Sequence, residues 1–337
     1  METMLLDSSE SDLATAAALI RQGHLVGIPT ETVYGLGADA GNEKAVRSIF
    51  EAKGRPSDNP LIVHLADFSQ AKDYTTSIPQ LAYTLAEHFC PGPLTMVLPK
   101  NERIPMATSG GLDTVGIRVP SHPVMHRIIE LAGCPIAAPS ANTSGYPSPT
   151  SAQHVMADMN GRIAAIVDGG VSKFGVESTV ISFDDEKSVR ILRPGCVTKD
   201  MLLEYCECVT IDPAILNGLA DGEKAASPGM KYKHYSPKAD VVMIEGTASQ
   251  VRRFAEENAS DTTYFVIYSG DEENFPGKYI TYGADSLQQA HSLFAILRDL
   301  DSLGADKVYV RAPAHDGVGL AVYNRLIRAA GFEVIAL

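Results

Sequence analysis

The sequence predicts an α/β protein built as two units. Short apolar strand-like runs alternate with helical periodicity along the whole chain. Its 337 residues exceed one comfortable hydrophobic core. A connector at 227–238, "SPGMKYKHYSPK", separates a long first alternation from a shorter second one.

In order, Ser11 is placed as the cap of an Ala-rich helix that Gly23 ends, before the strand "LVGI" at 25–28. Asn42 starts a helix closed by Gly54, and "LIVHL" at 61–65 is the next strand. Pro79 opens a helix that Pro91-Gly92-Pro93 breaks, ahead of "LTMVL". Further strands are expected at 114–119, 135–139, 163–167, 178–182 and 189–192, and helices at 122–132, 150–159 and 198–206. Beyond the connector, "VVMIEG", a helix at 247–258, "TYFVIYS", "KYITYG", a helix at 285–302, "KVYVR", a helix at 318–330 and "FEVIAL" alternate as in a small Rossmann-like or flavodoxin-like layer structure.

Charge narrows the partners. The net charge is −13; residues from 239 onward carry 14 acids against 8 bases, and the first 238 carry 27 against 20. Neither part has the basic excess of a broad nucleic-acid surface, while a local basic cleft for a small polyanion stays open. No apolar run is long enough to span a membrane, and the acidic, polar N-terminus lacks the basic start of a secretion signal. Five cysteines, an odd set with no C-x-x-C pair, read as free thiols of a reducing cytoplasm.

Several stretches carry chemistry. "IPTETVYGLGADA" (28–40) sets hydroxyls on a glycine-flexible loop; its spacing is not the G-x-G-x-x-G of a dinucleotide site, so it reads as a tight turn or as a polar ligand loop. Lys53 and Arg55 end a helix on a turn fixed by Gly54 and Pro56, where they complement the helix terminus or clamp phosphate oxygens. His64 sits on an apolar strand, a common place for a satisfied core histidine. Arg118, mid-strand between Ile117 and Val119, needs an anionic partner, either a substrate carboxylate or phosphate or an internal acid. "APSANTSGYPSPT" (138–150) and "FGVESTV" (174–180) offer small residues and hydroxyls suited to an anion or ribose cradle, and Arg193 sits on the "LRPG" turn. Walker A, H-E-x-x-H and G-x-S-x-G patterns are absent, and no side chain announces itself as a nucleophile. No metal site is assigned to side chains: His122 and His126 stand at i, i+4 without a local third ligand.

Taken together, P-T-E-T-V-Y-G-L-G (29–37), K-G-R-P (53–56), N-P-L (59–61) with His64, G-I-R-V-P (116–120), P-S-A-N (139–142), E-S-T-V (177–180), L-R-P-G (192–195) and the connector resemble, in order, the threonylcarbamoyl-AMP synthase family in its long, two-domain form. The resemblance implies a YrdC-type open twisted α/β sheet domain over 1–210. A linker over 211–239 would close on the active site as a lid, and a small Rossmann-like domain would fill 240–337. It implies formation of threonylcarbamoyl-adenylate and pyrophosphate from L-threonine, bicarbonate or CO2, and ATP with Mg2+. The product would feed a tRNA threonylcarbamoyl transferase machinery; direct tRNA contact is left open. By the same resemblance Thr32, His64, Arg118, Ala138 and Ser178 hold threonine. Arg55, Asn59, Thr114, Ser140, Ser148, Arg193, His234 and Tyr235 contact ATP, and Lys53 and Arg55 act at the phosphates. Family members often carry Asp shortly after S-T-V; this chain has Ser182, with Asp184 as a possible substitute.

Two other readings compete. A non-catalytic RNA-binding maturation factor would bind RNA in a strongly salt-dependent way without ATP turnover. Carbamoyl transfer of the hydrogenase-maturation type uses a related domain but adds zinc-finger cysteine pairs that this sequence lacks.

Overall fold

The computed structural model describes residues 2–57, 59–217 and 235–337. The elements are β1 (Met4–Leu6), α1 (Glu10–Arg21), β2 (Val26–Ile28), β3 (Gly35–Asp39), α2 (Glu43–Lys53), β4 (Ile62–His64), α3 (Gln80–Phe89), β5 (Leu94–Pro99) and β6 (Thr114–Arg118). Then follow α4 (Pro123–Ala132), β7 (Ile136–Ala137), α5 (Ala152–Met159), β8 (Ala165–Val167), β9 (Thr179–Phe183), β10 (Ser188–Arg193), α6 (Lys199–Leu203), β11 (Cys208–Ile211) and α7 (Ala214–Asn217). The remainder is β12 (Asp240–Glu245), α8 (Ala248–Asn258), β13 (Thr263–Ile267), β14 (Lys278–Thr281), α9 (Ser286–Ser302), β15 (Lys307–Arg311), α10 (Gly319–Ala329) and β16 (Val334–Ala336).

The chain divides into two compact units. The first holds the described residues up to 217 except two short stretches, Gly145–Pro147 and Phe174–Val176, which cluster with residues 235–337 in the second. Residues expected as linker from 211 therefore begin inside the first unit, with the end of β11 and α7. Most of the expected lid, residues 218–234 and with them His234, lies outside the described residues.

The first unit is a mixed sheet in the order β1-β8-β2-β3-β7-β4-β6-β5-β9-β10-β11. Helix α2 begins where Asn42 accepts the Ala45 N–H and stops at left-handed Gly54, as its sequence dictates. Helix α1 departs from expectation: its N-cap is Ser9, with Ser11 already inside the helix. Leu13, Ala16, Ala17 and Ile20 of α1 share a core with Val124, Met125, Ile128 and Ile129 of α4. Each fully buried Leu, Ile, Val or Met side chain contributes about 1.5–3 kcal/mol. The second unit is a wholly parallel sheet in the order β14-β13-β15-β12-β16, the layer structure its alternating pattern predicts.

Register positions the site. His64 of β4 pairs with Arg118 of β6, and Arg118 pairs in turn with Thr95 of β5. Directly opposed residues share a face, so these three polar side chains form one row across the sheet. On the opposite face Val63, Val115 and Ile117 enter the main core. Alternation along each strand thus puts hydrocarbon on one side and the candidate site on the other.

Candidate active site

Arg118 is 4 % exposed, and its partner is Glu31, on the loop between β2 and β3. Arg118 Nη2 donates to Glu31 Oε1 at 2.7 Å and Nε to Gly92 O at 3.3 Å. The internal acid that a strand-borne arginine demands is therefore present. Burial works against the Glu31 carboxylate, but the Arg118 charge and its hydrogen bond hold Glu31 below the usual carboxylate range. Among the described residues its second oxygen, Oε2, is buried with no hydrogen-bond partner. An orphaned buried acceptor of this kind costs about 1–3 kcal/mol until a partner arrives.

His64 lies beside this pair, 2 % exposed, with Nδ1 3.3 Å from Ile136 O. A carbonyl only accepts, so Nδ1 carries the proton and Nε2 is the acceptor. Burial, then the Arg118 charge, pushes the His64 pKa down to about 3, and the ring is neutral at physiological pH. Thr32 is equally buried in a hydroxyl cluster: Thr30 and Thr32 Oγ1 are 2.8 Å apart, and Thr30 Oγ1 donates to Val33 O at 2.6 Å.

The neighbouring loops converge on two further clusters. Arg193 donates from Nε to Ser178 O and from Nη2 to Ser178 Oγ, both at 3.0 Å, and Ser178 Oγ lies 2.8 Å from Thr95 Oγ1. The structure thus joins a residue expected at threonine, Ser178, to one expected at ATP, Arg193, and ties both to the His64–Arg118–Thr95 row. Gly195 is required behind Arg193, because a Cβ there would stand 2.4 Å from Thr179 N. In the other cluster, Ser148 Oγ donates to Glu177 Oε1 at 2.6 Å, both groups buried.

Lys53 is 2 % exposed at the end of α2, and its ammonium bonds to the P-S-A-N loop. Nζ donates to Ser140 O, to Asn142 O at 2.6 Å and to Asn142 Oδ1 at 3.4 Å. Ser140 Oγ closes the ring by donating to Asn142 Oδ1 at 2.6 Å. Here Lys53 anchors the loop that carries the expected ATP residue Ser140. Arg55 follows on the half-buried turn, and Asn59 is buried with Oδ1 unpartnered among the described residues. Thr114 shares its strand face with Arg118, four residues and so about 13 Å away. Ala138 donates its N–H to Ile62 O at 3.0 Å.

Tyr235 stands in the second unit, 2 % exposed and stacked on Phe294 with ring centroids 5.1 Å apart. Asp184, weighed as a stand-in for the missing aspartate, bonds Arg190 of the adjacent strand on the surface. His122 caps α4 through Nδ1, and His126 Nε2 lies 2.8 Å from Ala66 O. Sequence reasoning missed four residues of the site. Glu31, Asn142 and Glu177 lie inside motifs already singled out, whereas Thr95 becomes visible only through strand register.

An open α/β sheet with buried, paired charges at its strand ends and a lysine-anchored hydroxyl loop defines a site for small charged molecules. A family model described as Telomere recombination (Sua5_yciO_yrdC) matches residues 18–195. A second, described as Threonylcarbamoyl-AMP synthase, C-terminal domain, matches 197–331. The chain belongs to the threonylcarbamoyl-AMP synthase family. The threonylcarbamoyl-AMP synthase of Pyrococcus abyssi is 46 % identical over 97 % of this chain and 96 % of its own length. That of Bacillus subtilis is 44 % identical over 98 % and 96 %. The crystal structure of P. abyssi Sua5 complexed with L-threonine superposes with a TM-score of 0.92 at 44 % identity, covering both chains fully. A structure of the same protein with H234A/Y235A also gives 0.92, at 42 % identity over 99 % of this chain and 98 % of that one.

Proposed function

We propose that this chain is a threonylcarbamoyl-AMP synthase, forming threonylcarbamoyl-adenylate and pyrophosphate from L-threonine, bicarbonate or CO2, and ATP. The observation that carries the reading is the buried Arg118–Glu31 pair in line with neutral His64, a receptor for a small zwitterion, beside the anchored P-S-A-N loop. L-threonine would set its carboxylate on Arg118 and its polar groups against His64, Thr32, Ser178 and the Ala138 backbone. ATP would lie along Arg55, Asn59, Thr114, Ser140, Ser148 and Arg193.

The reaction asks little covalent chemistry of the protein. The neutral amine of threonine bonds to the carbon of CO2 and gives up one proton to solvent, which leaves a carbamate; a carbamate oxygen attacks the α-phosphorus as the bond to pyrophosphate breaks. Positioning and charge neutralisation do the rest. Arg55 and Arg193 bring fixed cations, while Lys53 holds the loop that orients the nucleotide. Among the described residues no group of three or more His, Cys, Asp or Glu is placed to hold a metal ion. Mg2+ would therefore arrive on the phosphates, with Glu177 and Ser148 as hard oxygen donors that suit it, and would neutralise phosphate charge. The product would pass to a transferase that builds N6-threonylcarbamoyladenosine into tRNA, in the cytoplasm. Among the described residues no helix is long and apolar enough to cross a membrane.

The test is pyrophosphate release from ATP with each amino acid in turn, with and without bicarbonate. Release that requires both threonine and bicarbonate is expected. Release independent of the amino acid overturns the reading, and salt-dependent RNA binding without turnover favours a maturation factor instead.

A further inference from the structure

We infer that Glu31 Oε2 is the seat of the substrate's α-ammonium group, which makes Glu31 the residue that selects an amino acid over other hydroxylated carboxylates. The inference rests on the threonine reading above and adds to it a contact that the site expectations omit.

Glu31 offers one committed oxygen and one open one. Oε1 is taken by Arg118 Nη2 at 2.7 Å, and Oε2 is buried with no partner among the described residues. Backbone N–H groups of Glu31 and Ser121 favour the charged carboxylate from nearby, yet none hydrogen-bonds to Oε2. A carboxylate oxygen is an acceptor only, so its missing partner must be a donor, and a cationic donor forms the stronger bond. Arg118 has the complementary need. It gives Nε to Gly92 O and one Nη2 hydrogen to Glu31, which leaves the Nη1 side for an anion.

An α-amino acid presents a carboxylate and an ammonium on adjacent atoms. The Arg118–Glu31 pair presents the opposite charges side by side on one buried face, fixed by the protein before the ligand arrives. Docking closes a ring of four alternating charges, satisfies Oε2 and fixes the nitrogen that must later bond to carbon. His64 offers a neutral acceptor at Nε2 and no negative charge, since Nδ1 is turned to Ile136 O and the ring is unprotonated at Nε2.

A ligand-and-residue cycle tests the inference. Calorimetry compares L-threonine with 2,3-dihydroxybutanoate, the analogue that keeps the carboxylate and side-chain hydroxyl but replaces the ammonium by a hydroxyl. In the native chain threonine should bind at least tenfold more tightly than the analogue. In Glu31→Gln threonine should weaken at least tenfold, and the gap between the two ligands should shrink to within about threefold, with ATP binding as the check on folding. If Glu31→Gln does not fold, Glu31→Asp serves: its shortened carboxylate should narrow the gap while keeping the charge. A gap of native size in the folded variant overturns the inference, since Glu31 would then act only by holding Arg118. Native protein that binds neither ligand overturns the threonine reading itself, and this inference with it.

Discussion

Arg118 Nη2 meets Glu31 Oε1 at 2.7 Å with both side chains about 95 % shut from solvent. A buried pair of this kind contributes little net stability over an apolar substitute, but breaking it leaves a charge stranded. Arg118→Ala should therefore cost about 3–5 kcal/mol and abolish threonine binding. The double change Arg118→Met with Glu31→Met should recover most of the stability and none of the binding. Lysine at 118 should bind threonine poorly, because a point charge replaces the planar fork. Thermal unfolding and threonine calorimetry on the three variants check this; an Arg118→Ala chain with native melting and native affinity would refute it.

His64 gives stability a pH dependence. Unfolded, its imidazole takes a proton near the ordinary value of 6.5; folded, burial and then Arg118 delay that to about 3. Between these values the unfolded chain binds more protons, so stability is full above pH 6.5 and falls as pH drops, by about 1.4 kcal/mol per unit. Glu31, whose folded pKa is also lowered, adds its own loss further down, as pH falls below about 4.5. Denaturant unfolding between pH 7.5 and 5.5 should show a flatter profile for His64→Gln than for the native chain. Parallel profiles would place the proton uptake elsewhere.

Lys53 is predicted to act on ATP through the loop it anchors. Lys53→Met leaves Ser140 O and Asn142 O without their charged donor, a loss of about 2–3 kcal/mol in stability. ATP affinity should fall at least tenfold in the same variant. Unchanged unfolding together with unchanged ATP affinity would remove Lys53 from both roles.

Specificity should follow hydrogen-bond accounting. Valine leaves the hydroxyl-reading groups unpaired and should lose at least about 3 kcal/mol in kcat/KM. Serine lacks one methyl group and should lose about 1–3 kcal/mol. Equal turnover of threonine and valine would contradict the assignment of this pocket.

Local signals carried much of the fold. The cap at Asn42, the stop at Gly54 and the alternation in 114–119 are written in adjacent residues, and each forms where those residues place it. Long-range pairing is another matter. β1 finds its partner β8 about 160 residues away, and three residues carry no period that announces it. The G-L-G of 35–37 reads as a flexible loop but is strand β3. A Cβ at Gly37 would meet Ile28 Cδ1 at 2.5 Å on the neighbouring strand, so that side chain would have to move. The site divides in the same way. Motif residues such as Arg118 and Ser178 announce polar work by standing in apolar surroundings. Thr95 has the ordinary look of a strand threonine until register sets it beside Arg118. Glu31 declares itself only when its second oxygen is found buried and unmatched.

One chain is proposed to join threonine, a one-carbon unit and AMP through a carbamate. The most direct test supplies 13C-labelled bicarbonate, L-threonine and ATP to the purified chain and measures the nucleotide products by mass. The expected product is an adenylate that carries both threonine and one 13C atom, formed one for one with pyrophosphate. An unlabelled threonyl-adenylate, or AMP and pyrophosphate with no labelled conjugate, would contradict it.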